Sequence, residues 1–282
     1  MRPADTARLV ALAAIWGASF LFVRIAAPAI GPVLTADLRM VIAGLALAAY
    51  FRAIGFDAQW RRWWRQYVIV GLLTSAAPFL LYAYSALTLT AGLMAVINAS
   101  SPIWGALFSA WLLGERLSAR AVAGLAIGVA GVALVTRPDA GADFAALPAL
   151  AAIGAAVCYG LAATYMRGWA KDTPSRGMAL GTQIAGGVLL APLIVFTPST
   201  AALTPLVAGC LLAMGLICGA VAYLLYFRLV TDIGAAGALT VTYLIPIFGV
   251  LWGALFLGET VSLVMLAGAG LVLLGTFFVL RK

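Results

Sequence analysis

Two glutamates occur in the same local sequence and are the first candidates for chemistry in this chain. Leu113-Gly114-Glu115 recurs as Leu257-Gly258-Glu259, and two carboxylates could act as general acid and base if both reached one site. Each glycine follows an apolar run, where a left-handed residue would end a helix. Each glutamate is therefore either a carboxylate at a helix end or part of a gating ion pair with a loop arginine.

Most catalytic and metal-binding chemistry is excluded by composition. The chain has no histidine, and its lysines are Lys171 and Lys282, both in polar segments. Ser-His-Asp catalysis, HExxH zinc sites and histidine ligation of haem are therefore impossible. Three scattered cysteines do not make a metal cluster. We expect no enzyme activity, no metal and no cofactor.

Uncharged polar, aromatic and proline residues lie inside the apolar runs instead. Contacts between helices explain any one of them, but together they suit a neutral or zwitterionic molecule with an apolar body. An amide that faced lipid would lose several kcal/mol, so Asn98 must face protein or a water-filled cavity. The candidate substrate-binding residues are Trp16, Pro78, Tyr82, Met94, Asn98, Ser101, Pro102, Tyr159, Gln183, Thr242, Tyr243 and Pro246.

Two further patterns support this set. Met94, Asn98 and Ser101 are spaced three and four positions apart, so they share one face of a helix. Pro102 and Pro246 stand at matching positions, where each removes a hydrogen bond and permits a bend. Both prolines are therefore expected to free backbone carbonyls near the midplane.

Charged residues are nearly absent from the interior of the apolar runs. Every carboxylate falls in a loop or at a helix end, so no group for proton coupling is evident and we expect facilitated transport or exchange. Arg39 lies about two turns inside a predicted span. Snorkelling to the membrane interface explains Arg39, and attraction of a carboxylate or closure of an outer gate are the alternatives.

Composition identifies the class of protein that must position these residues. Hydrophobic residues make up 65% of the 282-residue chain, charged residues make up 9%, and the mean hydropathy is +1.11. These values are typical of polytopic membrane proteins. We predict an all-α protein with ten transmembrane helices, at 8–27, 33–53, 67–88, 91–113, 119–136, 147–167, 176–196, 204–228, 234–257 and 262–280.

The glutamates belong to a long internal repeat. The segment 102–115 recurs without a gap as 246–259, 144 positions later, and Trp16-Gly17 corresponds to Tyr159-Gly160 at a spacing of 143. Five predicted spans separate the copies, and an odd number of crossings turns the second copy upside down.

The repeat divides the chain into two parts. Residues 1–137 and 147–281 are predicted to be inverted five-helix repeats. Glu115 and Glu259 would then lie on opposite membrane faces, about 30 Å apart, and could not form one active site.

The formal charge of +8 is distributed unevenly between the predicted loops. Of 17 basic residues, all but Arg24, Arg39 and Arg137 fall on one side, so both termini are predicted to be cytoplasmic. The Trp-Arg cluster at 60–67 is expected to anchor the chain in the lipid bilayer and not to bind nucleic acid.

Small residues mark the fifth and tenth spans. They predict close helix contact, either as scaffold or in a homodimer, without a part in substrate contact. These residues are Gly124, Gly128, Gly131, Gly268, Gly270 and Gly275.

The order of these motifs resembles the drug/metabolite transporter superfamily, and within it the ten-span EamA-type members. The resemblance covers essentially the whole chain and is carried by Trp16-Gly17-Ala18-Ser19-Phe20, Leu38-Arg39 and the two Pro-Ile to Leu-Gly-Glu stretches. It implies two inverted repeats around a central cavity lined by the first four helices of each half. The aromatic content is similar to the YddG type, which exports aromatic amino acids.

We therefore expect a multi-pass transporter of a bacterial inner membrane. It would bind a small molecule and export amino acids with aromatic or large apolar side chains, and related amphipathic metabolites, by alternating access. A nucleotide-sugar or phosphorylated-metabolite carrier would need several basic residues in the cavity, where Arg39 alone is available. A membrane subunit without transport activity is the other alternative.

Overall fold

The chain forms a bundle of helices. The computed structural model describes residues 2–136, 146–197 and 203–280, which hold ten helices and their connections, with no β-strand among them. Arg137 lies outside these ranges. The helices are α1 (Pro3–Ile30), α2 (Pro32–Ala53), α3 (Trp60–Ser85), α4 (Ala91–Leu113), α5 (Ala119–Val135), α6 (Ala146–Trp169), α7 (Ser175–Phe196), α8 (Pro205–Gly234), α9 (Val241–Leu257) and α10 (Leu263–Leu280).

The helices have the length and composition of membrane spans. Within the described ranges, eight have at least 18 residues and are apolar enough to cross a membrane. The apolar helices α5 and α9 are shorter, with 17 residues each. The chain is therefore a multi-pass membrane protein.

Gly234 separates α8 from a short helical segment, 235–239, that precedes α9. Its φ of 78° lies outside the helical region. The segment begins 144 positions after Ala91, the first residue of α4, so the repeat is kept in the helix boundaries. Gly114 and Gly258 end α4 and α9 with φ of 67° and 64°, which confirms the predicted left-handed helix ends.

Helix α3 starts earlier than the hydropathy predicts. Its first residue is Trp60, so the Trp-Arg cluster forms helical turns before the apolar run at 67–88. Arginine is a good helix former, and hydropathy marks the limit of the apolar run but not that of the helix.

The halves interlock through contacts that come in repeat-related sets. Helix α5 packs against α10, α2 against α7 and α4 against α9. The contact of α1 with α9 is matched by that of α6 with α4, and the contact of α3 with α7 by that of α8 with α2. The helices of each half therefore pack mainly against helices of the other half.

Glycines allow α5 and α10 to approach at backbone distance. A Cβ atom on Gly275 would lie 2.6 Å from both the Gly124 carbonyl oxygen and the Gly128 nitrogen. A Cβ on Gly131 would lie 2.8 Å from the Val272 nitrogen. Gly270 differs from the prediction, because it faces open space with nothing within 4 Å.

This packing predicts that Gly275→Ala destabilises the bundle. The added methyl meets backbone atoms that cannot rotate away, and overpacking costs roughly 1–3 kcal/mol. We expect the thermal unfolding midpoint in detergent to fall by several degrees. Gly270→Ala, on the same helix, is the matched control and should leave the midpoint unchanged or slightly raised. Equal midpoints for the two variants would contradict the close packing of α5 and α10.

Candidate functional site

Both α3 and α8 contain a π-helical segment. These segments are Leu72–Ala76 and Ala213–Val221, and the first falls inside the second when moved 144 positions along the repeat. Such segments are rare, redirect the side chains that follow them and occur often at functional sites. Pro78 is the second residue of the α-helical turns that follow the first segment.

Beyond each π segment, an aromatic residue pairs with a residue of the other half. Tyr82 of α3 stacks against Tyr159 of α6, with ring centroids 6.4 Å apart and an interplanar angle of 27°. Tyr226 of α8 lies against Trp16 of α1 at 5.6 Å and 44°. These two aromatic pairs are repeat-related, since Tyr226 follows Tyr82 by 144 positions. Sequence reasoning missed Tyr226, although that same spacing identifies it.

Hydrogen bonds and a ring contact orient members of both aromatic pairs. The Tyr82 hydroxyl donates to Asn98 Oδ1 at 3.1 Å, and the edge of Phe20 meets the Tyr82 ring at 5.3 Å. Trp16 donates its indole N–H to the Cys218 carbonyl at 3.2 Å. The aromatic faces are thereby fixed in orientation.

Gln183 connects α7 to both π-containing helices. Its side chain is 1% exposed, and its amide donates to Ser75 Oγ at 3.2 Å. It also shares a hydrogen bond with Tyr223, a second residue that sequence reasoning missed. Tyr223 follows Phe79 by 144 positions and meets Trp16 edge-on at 6.4 Å.

Arg39 is buried within the bundle, against the ring of Phe79. It is 9% exposed, so snorkelling does not explain it, and its guanidinium carbon stands 3.7 Å from the centre of the Phe79 ring. The side chains of Tyr159, Cys218 and Tyr223 are near enough to interact with its charge. Among the described residues Arg39 has neither an acidic partner nor a hydrogen-bond acceptor.

The two prolines stand in different helical contexts. Helix α4 is interrupted at 99–100, and Pro102 opens the next helical segment. Serine hydroxyls bind the carbonyl groups that are freed there. The Ser100 hydroxyl donates to the Ile97 carbonyl at 2.7 Å, and the Ser101 hydroxyl donates to the Asn98 carbonyl at 2.6 Å. The interruption separates Ser101 from Met94 and Asn98, so the three residues do not share one continuous helix face as expected. Met94 is also fully buried.

Helix α9 runs unbroken through Pro246. Its interruption is at Thr240, and the positions that match the two serines are Leu244 and Ile245, which have no hydroxyl to satisfy a freed carbonyl. Tyr243 contacts α10 instead, where its hydroxyl donates to the Thr276 carbonyl at 3.4 Å. Thr242 is half-buried beside it.

The two glutamates have different partners. Glu259 accepts hydrogen bonds from the backbone N–H groups of Ala91 at 2.8 Å and Gly92 at 3.3 Å, the first residues of α4. Glu115 instead forms an ion pair with Arg167 at 3.3 Å, with both side chains about half exposed. Both therefore lie at helix ends, and the arginine that pairs with Glu115 belongs to the last turn of α6 and not to a loop.

Two repeat-related arginines accompany them. Arg24 donates to the Ala86 carbonyl, at the end of α3, at 2.7 Å. Its counterpart Arg167 binds Glu115 and the Ser109 hydroxyl. At one end of the bundle, the charged side chains of Glu259 and Arg24 bind backbone groups. At the other end, Glu115 and Arg167 bind each other.

Asp37 is more buried than a residue at a helix end should be. It lies in the second turn of α2, is 5% exposed, and its Oδ1 atom has no hydrogen-bond partner in the described part of the chain. Asp37 therefore lies near the start of α2, as expected, but is shielded from solvent because α7 covers this turn of α2 at Gly187. No group of acidic, histidine or cysteine side chains among the described residues could hold a metal ion.

Comparison with known proteins bears on this arrangement. A model of the EamA-like transporter family matches residues 7–137 and 146–281, that is, both halves. The uncharacterized transporter YvbV of Bacillus subtilis is 29% identical over 95% of this chain and 88% of its own. A probable terminal-alkyne amino-acid exporter of Streptantibioticus cattleyicolor is 23% identical over 97% and 92%. A crystal structure with a TM-score of 0.67 and 21% identity, covering 99% of this chain and 96% of that one, has the same fold.

The contacts of the glutamates predict unequal effects of removing them. Glu259→Ala leaves two N–H groups of α4 without a cap, and loss of a helix cap costs roughly 0.5–2 kcal/mol. Glu115→Ala is the repeat-related control and removes an exposed ion pair worth about 0–1 kcal/mol. We expect the thermal unfolding midpoint to fall more for Glu259→Ala, and the reverse order would contradict this account.

Proposed function

Because the chain belongs to the EamA-like transporter family, we propose that it exports amino acids with aromatic or large apolar side chains and related small amphipathic metabolites. Members of this family are transporters and not enzymes. The observation that carries the proposal is the pair of repeat-related aromatic contacts, Tyr82 with Tyr159 and Tyr226 with Trp16. A relative named as an amino-acid exporter supports the same substrate class.

The aromatic pairs favour a flat or bulky apolar body over a strongly hydrated one. Aromatic faces gain most when they cover another apolar surface, and rings at 4.5–7 Å add roughly 0.5–1.5 kcal/mol to simple burial. Polar groups beside them, Asn98 and Gln183, are few, as in sites that bind small amphipathic ligands. Arg39 is the one basic residue of the set, which argues against a nucleotide-sugar carrier.

The proposed topology has ten crossings of a bacterial inner membrane, with two inverted halves and both termini in the cytoplasm. The distribution of arginine and lysine supports the orientation. The 17-residue helices α5 and α9 are the ninth and tenth proposed crossings. Helix α5 would cross a thin part of the bilayer, and the segment 235–239 would lengthen α9.

Transport is proposed to occur by alternating access between unlike ends. In this structure Glu259 and Arg24 bind backbone groups of α4 and α3 at the proposed outer end. Their counterparts Glu115 and Arg167 pair with each other at the inner end. The opposite state would exchange these arrangements, so that Glu115 caps the segment 235–239.

We propose that this movement is facilitated and not coupled to an ion. Asp37 is the candidate group for such coupling, since its buried Oδ1 atom has no hydrogen-bond partner among the described residues and carboxyls inside the membrane often serve as proton relays.

A substrate-panel assay tests the proposal. The purified chain in liposomes should move labelled phenylalanine, tryptophan and leucine down their gradients, at the same rate with and without a proton gradient. No flux of any amino acid from folded protein would refute the export function. A rate that follows the proton gradient and loses that dependence in Asp37→Asn would refute facilitated transport alone.

The contact between Tyr82 and Asn98 predicts a defect in transport. Tyr82→Phe and Asn98→Ala each remove one side of a 3.1 Å hydrogen bond while leaving the aromatic stack in place. We expect KM for phenylalanine to rise several-fold, because a misaligned Tyr82 ring presents less surface to the substrate. Tyr84→Phe, on the exposed face of the same helix, is the control. Unchanged kinetics in both site variants would reduce these residues to packing.

A further inference from the structure

We infer that Arg39 binds the carboxylate of the transported molecule, so that the site selects monocarboxylates with an apolar or aromatic body. The inference rests on the proposed transport function and names the chemical group that the site recognises. It starts from a buried charge whose partner is missing.

The surroundings of Arg39 do not neutralise its charge. The side chain is 9% exposed, and stacking on Phe79 at 3.7 Å engages the face of the guanidinium but leaves its N–H donors unused. A buried cation without an anion is costly in a membrane protein, and such residues usually line substrate or ion pathways. Stacking on Phe79 holds the guanidinium plane still, which prepares its edge for an incoming anion.

The nearest acid in the sequence does not serve as that anion. Asp37 precedes Arg39 by two positions, and side chains two positions apart on a helix do not face each other. The Asp37 Oδ1 atom is directed to α7, where a Cβ on Gly187 would lie 3.8 Å from it. No ion pair joins the two side chains in the described part of the chain.

The residues near Arg39 suit the rest of such a molecule. Tyr159 belongs to one aromatic pair, and Tyr223 borders the other through its edge contact with Trp16. A carboxylate on the guanidinium would therefore place an attached apolar group against aromatic faces. A planar carboxylate matches the fork of the guanidinium through two parallel hydrogen bonds.

The positive charge of Arg39 has no counterpart in the second half of the repeat. Helices α2 and α7 have 22 residues each and begin 143 positions apart, so Thr182 stands where Arg39 stands in the first half. Thr182 is buried and uncharged. The site therefore has one cationic pole, which suits a molecule with one anionic group.

Competition on the wild-type protein tests the inference directly. Liposomes containing the full chain would take up labelled phenylalanine in the presence of 3-phenylpropanoate, phenylalaninamide or phenyl phosphate. We expect 3-phenylpropanoate to compete and the amide to be weaker by at least about tenfold, because only the former offers an anion to Arg39. An equally effective amide would overturn the inference, and stronger competition by phenyl phosphate would reassign the site to phosphate esters.

Variants add a second, independent arm. Arg39→Gln should lose at least about tenfold in phenylalanine transport and should no longer distinguish the carboxylate from the amide, whereas Arg39→Lys should keep part of both properties. Arg52→Gln, at the exposed end of the same helix, is the control and should behave as wild type. Unchanged discrimination in Arg39→Gln would overturn the inference. If Arg39→Gln does not fold, the competition series on wild type decides alone.

Thermal stabilisation separates this inference from the proposed function. Stabilisation of the wild-type protein by 3-phenylpropanoate but not by the amide, without any flux of amino acids, would refute export and support Arg39 as the carboxylate site. Flux of phenylalanine without discrimination between the two compounds would support export and refute the role of Arg39.

Discussion

A polar group that leaves water inside a membrane bundle must find its partner in the protein, and this constraint governs the fold. Unbroken helices satisfy it by their own backbone hydrogen bonds. Where α4 is interrupted before Pro102, side chains replace the missing bonds: the Ser100 and Ser101 hydroxyls cover two carbonyls, and Thr276 of α10 donates to the Ala99 carbonyl at 2.9 Å. The break is thus tolerated because three hydroxyls surround it. The positions that match these three around α9 are Leu244, Ile245 and Val132, which have no hydroxyl, and α9 runs straight through its proline.

The same constraint explains the helix ends. Glu259 and Arg24 bind the free backbone groups of α4 and α3, where charge and helix dipole also agree in sign. At the other end, Glu115 and Arg167 are half exposed, so water can satisfy whatever they leave open. The proposed alternating access would exchange these two arrangements between the ends, which requires only a modest difference in free energy between the two states.

The sequence predicted much of the framework because its signals are local. The bounds of α4 and the left-handed turns at Gly114 and Gly258 follow from apolar length and glycine. The close spacing of small residues predicts close contacts of α5 and α10, but the structure was needed to show that these two helices contact each other. The break in α4 did not follow from Pro102 alone, because it depends on neighbouring hydroxyls and on Thr276 from the far end of the chain. Tyr226 was recoverable from the repeat.

The halves differ in their polar side chains as well as in the break that α4 has and α9 lacks. Two identical halves would present identical surfaces to a bound molecule, and a solute with one charged end would then bind equally well in two opposite orientations. The two orientations become unequal because Arg39 in the first half corresponds to Thr182 in the second. The hydrogen bonds differ as well, since Tyr82 binds Asn98 in one place and Trp16 binds the Cys218 carbonyl in the other. In the proposed transport cycle, repeat-related packing would support two equivalent states of the bundle, while a few side chains that break the repeat would give the substrate one orientation in both.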